Sequence, residues 1–374
     1  MECPNCHQPL TPRPGLKRCP NCGSELPQQA MDTALFPIRR NDRFGFMNLY
    51  GDTVIEPQFY LARNFSEGFA AVKNMNGWGF IDKTGHQLFP TATFSDVADF
   101  SDGMSLVKEN GQYGYVNNKG KVIFYPQFDK AESFSEGLGL VYIRGLGWGY
   151  VDKEGERAIQ PGYRNASSFH EGLAAVRERN RYGFINKSGR IVIWQLFNNV
   201  CDFYQGQAFV KLREEGRYHV IDRRGLPKLF YHIFGVKEKV HFREGMCLTT
   251  KDDLYGYLDL KGTAIKPRFT NAHDFSEGLA CVCEEIQYGY IDKTGEFVIS
   301  PEYTAGGFFS EGLAAVRIGN TNWGYINKEG DLVIPPQYSM AYEFHNGLAT
   351  VRRNGVLQYI NKEGHVISNE ACFI

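Results

Sequence analysis

One short unit recurs about every 35 residues along almost the whole chain, and a period of that length restricts the fold to a stack of like modules. Its clearest copies read FSEGFAAVKNMNGWGFIDKTG (65–85), FSEGLACVCEEIQYGYIDKTG (275–295) and FSEGLAAVRIGNTNWGYINKEG (309–330). A module this small cannot bury both of its faces. Neighbours must stack to make a continuous core, and such arrays offer extended surfaces rather than one catalytic pocket.

Within 275–303, LACVCEE alternates as a strand does, YGYIDK reads as a second strand, and EFVIS as a third that ends at Pro301. Between the last two lies Asp292-Lys293-Thr294-Gly295. An Asp or Asn side chain bonds the backbone ahead of it, and Gly takes the left-handed position that closes the turn. The pair recurs from Asn48 and Gly51 to Asn361 and Gly364, giving about ten units. An aromatic-Gly step opens the middle strand, as in Trp78-Gly79, Tyr288-Gly289 and Trp323-Gly324. The rings are expected to stack in a column, and the glycine to let another backbone approach. In the FSEG turn the Phe (Phe65, Phe134, Phe275, Phe309) is a buried anchor. The acid (Glu67, Asp102, Glu136, Glu171, Glu244, Glu277, Glu311) is expected to be a solvated turn residue.

The succession of WGFIDKTG, VIEPQF and FSEGLAAV resembles the WG-repeat (KWG-type) family of bacterial proteins over residues 35–374. The resemblance implies an all-β repeat array and brings no catalytic residues with it. The expected architecture is about ten three-stranded meanders in an open solenoid or superhelix. The alternative is a closed, propeller-like ring. Propeller blades normally use four strands and about 40 or more residues, so the shorter period favours the open form, with imperfect first and last units acting as caps.

Ahead of the array, Cys3-Pro4-Asn5-Cys6 and Cys19-Pro20-Asn21-Cys22 form two matching knuckles twelve residues apart. Each CxxC turn presents two thiolates, and two such turns complete the tetrahedral shell that Zn²⁺ prefers. Residues 1–26 resemble a zinc ribbon, with His7 where that family usually has Gly. Four thiolates leave no open position, so the expected role is one structural zinc per chain that also drives folding of the segment. Residues 27–34 read as a linker and 35–374 as the array.

The formal charge of −1 does not support bulk nucleic-acid binding, which requires a basic excess. No apolar run is long enough to span a membrane, and the start carries no secretory signal pattern. Clustered CxxC pairs within an odd total of nine cysteines point to a reducing, cytoplasmic setting. Cys281 and Cys283 are expected to pack rather than to do redox chemistry. The least regular stretch, 201–254, has Gln205 in place of the acid and a basic run that includes Lys211, Arg223, Arg224 and Arg243. An insertion in a repeat protein maps to surface loops, so this stretch is a candidate contact. The leading reading is a non-enzymatic scaffold that binds another protein. The alternative is a carbohydrate or peptide module using outward aromatics such as Trp78, Trp148 and Trp323. An enzyme with its site in 201–254 is a third reading, without a GxSxG, HExxH or phosphate-loop motif behind it.

Overall fold

The computed structural model describes residues 21–22, 24, 34–89, 94–212, 219–229, 242–260, 264–319 and 322–372. Among them there is no helix. The strands form ten small antiparallel sheets, which follow one another as the blades of a closed β-propeller. Blade 1 starts at Phe36, blade 2 at Leu61, blade 3 at Asp96, blade 4 at Lys130 and blade 5 at Asn165. Blade 6 starts at Asn199, blade 7 at Phe242, blade 8 at Asn271, blade 9 at Ala305 and blade 10 at Met340.

Most sheets have four strands, not three. The additional strand opens the blade and is as short as two residues, as in Asn165–Ala166 and Asn271–Ala272. A single residue joins it to the strand before: Tyr163 ends one blade and Asn165 begins the next, with only Arg164 between. This economy fits four strands into a 35-residue period. The last strand also runs through its proline. Phe297–Tyr303 contains Pro301, which is tolerated because the strand lies on the sheet edge and its register shifts there.

The open solenoid is therefore corrected to the closed ring, and the terminal units are not caps. Their irregularity arises because they meet. Blade 1 lacks an opening strand of its own, and residues 370–372 supply it. Ala371 bridges Ile38, and the Arg39 amide donates to the Glu370 carbonyl at 3.0 Å. Arg40 donates from Nε and Nη2 to the two Glu370 carboxylate oxygens at 2.8 and 2.9 Å. An open stack would leave two apolar end faces in water, and the seam removes both.

Most interfaces between blades are built from one repeated pair of rings; between blades 6 and 7 Val220 takes the first place and Phe242 stacks on Phe209 instead. Two residues past the aromatic-Gly aromatic, a buried Tyr or Phe meets the FSEG-position Phe of the next blade edge-on. Tyr115–Phe134, Tyr150–Phe169, Tyr257–Phe275 and Tyr290–Phe309 have centroids 4.8, 4.9, 4.9 and 4.9 Å apart. The tyrosine hydroxyl, which could not be buried unpaired without cost, donates to a carbonyl of the next blade. Tyr150 reaches Ser167 O at 2.7 Å, and Tyr290 reaches Gly307 O at 2.9 Å. At the seam Tyr359 keeps both contacts, with Phe36 at 5.6 Å and Pro37 O at 3.0 Å.

The aromatic-Gly rings do not form the expected column. Trp78 is buried, Trp148 and Trp323 are half-buried, and all three pack against core clusters. Several are covered by a cation from the same sheet, as Arg63 covers Trp78 at 4.9 Å and Arg317 covers Trp323 at 5.9 Å. The glycine does admit a backbone. A Cβ on Gly289 would lie 2.6 Å from Ile299 O and 2.8 Å from Pro301 N.

Candidate functional site

The FSEG acid is not a solvated turn residue. Glu277 and Gly278 both have positive φ (52° and 91°), the geometry of a type I′ hairpin turn. A left-handed glutamate is uncommon, and its carboxylate has a structural task. Glu277 accepts the turn amides of Glu311 and Gly312 in the next blade at 2.5 and 3.0 Å. It also pairs with Lys328 at 3.1 Å, and Lys328 reaches the Glu277 carbonyl at 3.0 Å. The same clamp joins Glu136 to Gly172 and Lys187, and Glu311 to Gly347 and Lys362.

Burial alone would push the Glu277 carboxyl up, but the Lys328 ammonium and the two turn amides outweigh it and hold it below the ordinary carboxylate range. The balance has the same sign at Asp102 and Glu136. A carboxylate depressed in the folded state contributes stability above its unfolded pKa of about 4. That stability is lost as pH falls through the folded value. The denaturation midpoint should therefore be flat from neutral pH down to about 5 and fall steeply below about 4. Glu277→Gln, which cannot pair with Lys328, should cost about 1–2 kcal/mol at pH 7 and flatten the acid limb. An unchanged pH profile would reject the clamp as a source of stability.

Glu171 of blade 5 still accepts the Gly206 amide of blade 6 at 2.8 Å, but the acid of the next clamp, between blades 6 and 7, is missing. Gln205 takes the acid position in blade 6. In five blades a serine hydroxyl ties one FSEG turn to the next, as Ser135 Oγ donates to Phe169 O at 2.7 Å and Ser276 Oγ to Phe309 O at 2.7 Å, and blades 7 and 10 carry Arg243 and His345 instead. His170 and Tyr204 stand at those places in blades 5 and 6. The irregular stretch 201–254 contributes ordinary strands to blades 6 and 7. Three of its described cations have protein partners: Arg223 donates to Glu171 O at 2.7 Å, Arg224 pairs with Asp222 at 3.2 Å and Arg243 lies 3.9 Å from Asp274. Residues 230–241, with His232 and Lys237, lie outside the described residues, as do Cys3, Cys6 and Cys19. Cys22 is exposed, with Sγ 2.9 Å from Ser24 Oγ. Cys281 and Cys283 are buried in the sheet, and burial pushes the Cys281 thiol up to about 12, which suits packing.

A feature that the repeat pattern did not bring out lies on the outer strand of blade 5. In six other blades the last strand carries proline at one fixed position: Pro57, Pro126, Pro161, Pro267, Pro301 and Pro336. Proline on an edge strand blocks pairing with a foreign strand. Blade 5 has Gln195 there, in Ile191–Phe197. Its neighbours Trp194 and Leu196 are 69% and 58% exposed, and Ile191 and Val192 are exposed with them. Sister blades carry Glu56, Lys266 or Ser300 in place of Trp194, and Gln58, Arg268 or Glu302 in place of Leu196; blade 3 also exposes an aromatic at the first position, Tyr125, but follows it with Pro126. The strand is the terminal one of its sheet, and exposed Arg190 and Arg181 flank it. The difference lies in the outer strands and not in the FSEG turns. The Trp78, Trp148 and Trp323 rings pack against core clusters rather than standing out from the ring.

A family model described as WG containing repeat matches residues 44–77, 78–113, 113–146, 148–182, 182–215, 255–285, 288–321 and 323–356, well over half of the chain. The unmatched gap between 215 and 255 coincides with the irregular stretch. No curated protein matches the sequence. Among solved structures, a eukaryotic initiation factor aligns at 13% identity and a TM-score of 0.53, over 90% of this chain and 94% of that one. BamB from Moraxella catarrhalis aligns at 10% identity and a TM-score of 0.36, over 72% of this chain and 94% of that one. At 13% identity, the first is a likeness of fold alone.

Proposed function

Because this chain belongs to the WG-containing repeat family, a family of repeat arrays, we propose that it is a non-enzymatic scaffold whose propeller binds another protein. The observation behind this reading is the unguarded outer strand of blade 5, where Trp194 and Leu196 stand exposed and Gln195 replaces the edge proline. The partner is a protein with an apolar extended segment that adds to this sheet edge, the mode in which main-chain bonds give affinity and alternate side chains give specificity. Arg181 and Arg190 favour acidic residues beside that segment. On this reading the two CPNC knuckles hold one structural zinc, and the clustered cysteines fit a reducing, cytoplasmic setting.

The test is affinity capture from native cells, followed by binding measurements with the captured protein. Trp194→Asp should weaken that complex at least 30-fold, the size expected of a central aromatic anchor, while the melting temperature changes little. Amides of 191–197 should gain protection from hydrogen exchange when the partner binds. Equal affinity for the Trp194→Asp protein, or protection elsewhere on the ring, would reject the blade 5 edge. Metal analysis of the reduced protein should find about one zinc per chain, lost in Cys19→Ser. A metal-free protein would reject the ribbon and leave the propeller reading untouched.

A further inference from the structure

Each blade is an antiparallel meander, so the hairpins next in order after the FSEG turns all open on the opposite face of the ring. Tips of this kind normally carry Asn, Asp or Gly. Blades 1, 3 and 7 do so, with Asn41-Asp42, Asn110-Gly111 and Asp252-Asp253. Five other tips each carry one apolar residue. Met75 of blade 2 is 84% exposed and Ile286 of blade 8 is 82% exposed, and Leu146, Ile318 and Val356 of blades 4, 9 and 10 are exposed with them. Five apolar tips on one face leave apolar surface in water and return no packing to a monomer. The charges of this face fall into separate arcs. Arg179 on the tip of blade 5 is exposed, as are Asp252, Asp253 and Glu285 on the tips of blades 7 and 8. None of these four forms an ion pair among the described residues.

We propose that this face is the interface of a homodimer, in which a second copy of the chain stacks face to face across a two-fold axis lying between the two rings. Such an axis reverses the order of the blades in the facing ring. With blade 5 over blade 8, blade 4 lies over blade 9, blade 3 over blade 10 and blade 1 over blade 2. Each of these pairs is complementary. Arg179 meets Glu285, Leu146 meets Ile318, Glu109 meets Arg353 and Asp42 meets Lys73. Every contact occurs twice, as a two-fold interface requires. The complementarity is internal to a single face, so the partner that fits it is another copy of the same face. A contribution of about 90 Å² from each tip reaches the roughly 800 Å² per partner of a standard interface. The outer strand of blade 5 lies on the rim, so the dimer presents two such edges at once.

Sedimentation equilibrium of the full chain measures the association. Arg179 and Glu285 hold the same left-handed position of their hairpins, with φ of 49° and 55°, so exchanging the two residue types leaves both turns intact. Arg179→Glu and Glu285→Arg should each weaken the dimer at least about 30-fold, because each sets like charges against one another twice. The protein carrying both changes should regain most of the lost affinity, a result that a merely structural role for either residue would not give. Leu146→Asp should also weaken the dimer, and Trp194→Asp should leave it unchanged, which separates this face from the blade 5 edge. A chain that stays monomeric up to about 100 µM, a doubly changed protein that associates no better than either single variant, or a dimer broken by Trp194→Asp and untouched by Arg179→Glu would overturn the proposal.

Discussion

Removal of residues 369–374 is expected to lower the melting temperature by about 5–10 °C, corresponding to a loss on the order of 3–5 kcal/mol. The segment does several things at one place. Ala371 and Cys372 are buried, the Arg39 amide loses its Glu370 acceptor, and Arg40 loses a two-pronged carboxylate partner. What remains of blade 1 is a three-stranded sheet with an exposed edge facing a partly uncovered core. Calorimetric melts of the full and shortened chains measure the effect, with a chain lacking residues 1–33 as the control, which should melt as the full chain does. A shift below about 1 °C would mean that the ring is not held shut at this seam.

The second large effect concerns the ring pair between blades. Phe309→Ala removes a fully buried ring that touches Tyr290 at 4.9 Å and is expected to cost about 3–5 kcal/mol. Tyr290→Phe keeps the ring and removes only the hydroxyl, leaving the Gly307 carbonyl without its donor, for a cost of about 1–2 kcal/mol. Because the two rings touch, Tyr290→Ala and Phe309→Ala together should cost less than the sum of their separate effects, by roughly 0.5–3 kcal/mol. Denaturant titration of the four proteins measures this coupling. Strict additivity would mean that the rings do not act as a unit.

Local features of the repeat were legible because each rests on the stereochemistry of a few adjacent residues. Asp292 does accept the amides of Thr294 and Glu296 through Oδ1, and Gly295 does take a φ of 91°. Gly289 does clear space for a backbone. The features that escaped are relations between units. A two-residue strand such as Asn165–Ala166 has no periodicity to detect. Closure depends on Ala371 finding Ile38 across nearly the full chain, and no local pattern records such a contact. The FSEG acid was misjudged because one turn viewed alone shows a charged residue at a bend. Its amide and lysine partners lie roughly one and one-half repeats further along the chain. The blade 5 edge is written in the sequence only as a departure, Gln195 in place of a proline that six sister units share, and a substitution in one unit leaves no periodic signal.

The seam also sets an order of events during synthesis. Blades 2 to 9 each carry their own strands and meet their neighbours as the chain lengthens, so they can stack while the ribosome is still translating. Blade 1, the first to emerge, has to wait with one flank of its sheet unpaired until residues 370–372 are made. The first blade made is thus the last to be completed, and its open edge is the stretch a chaperone would have to shield.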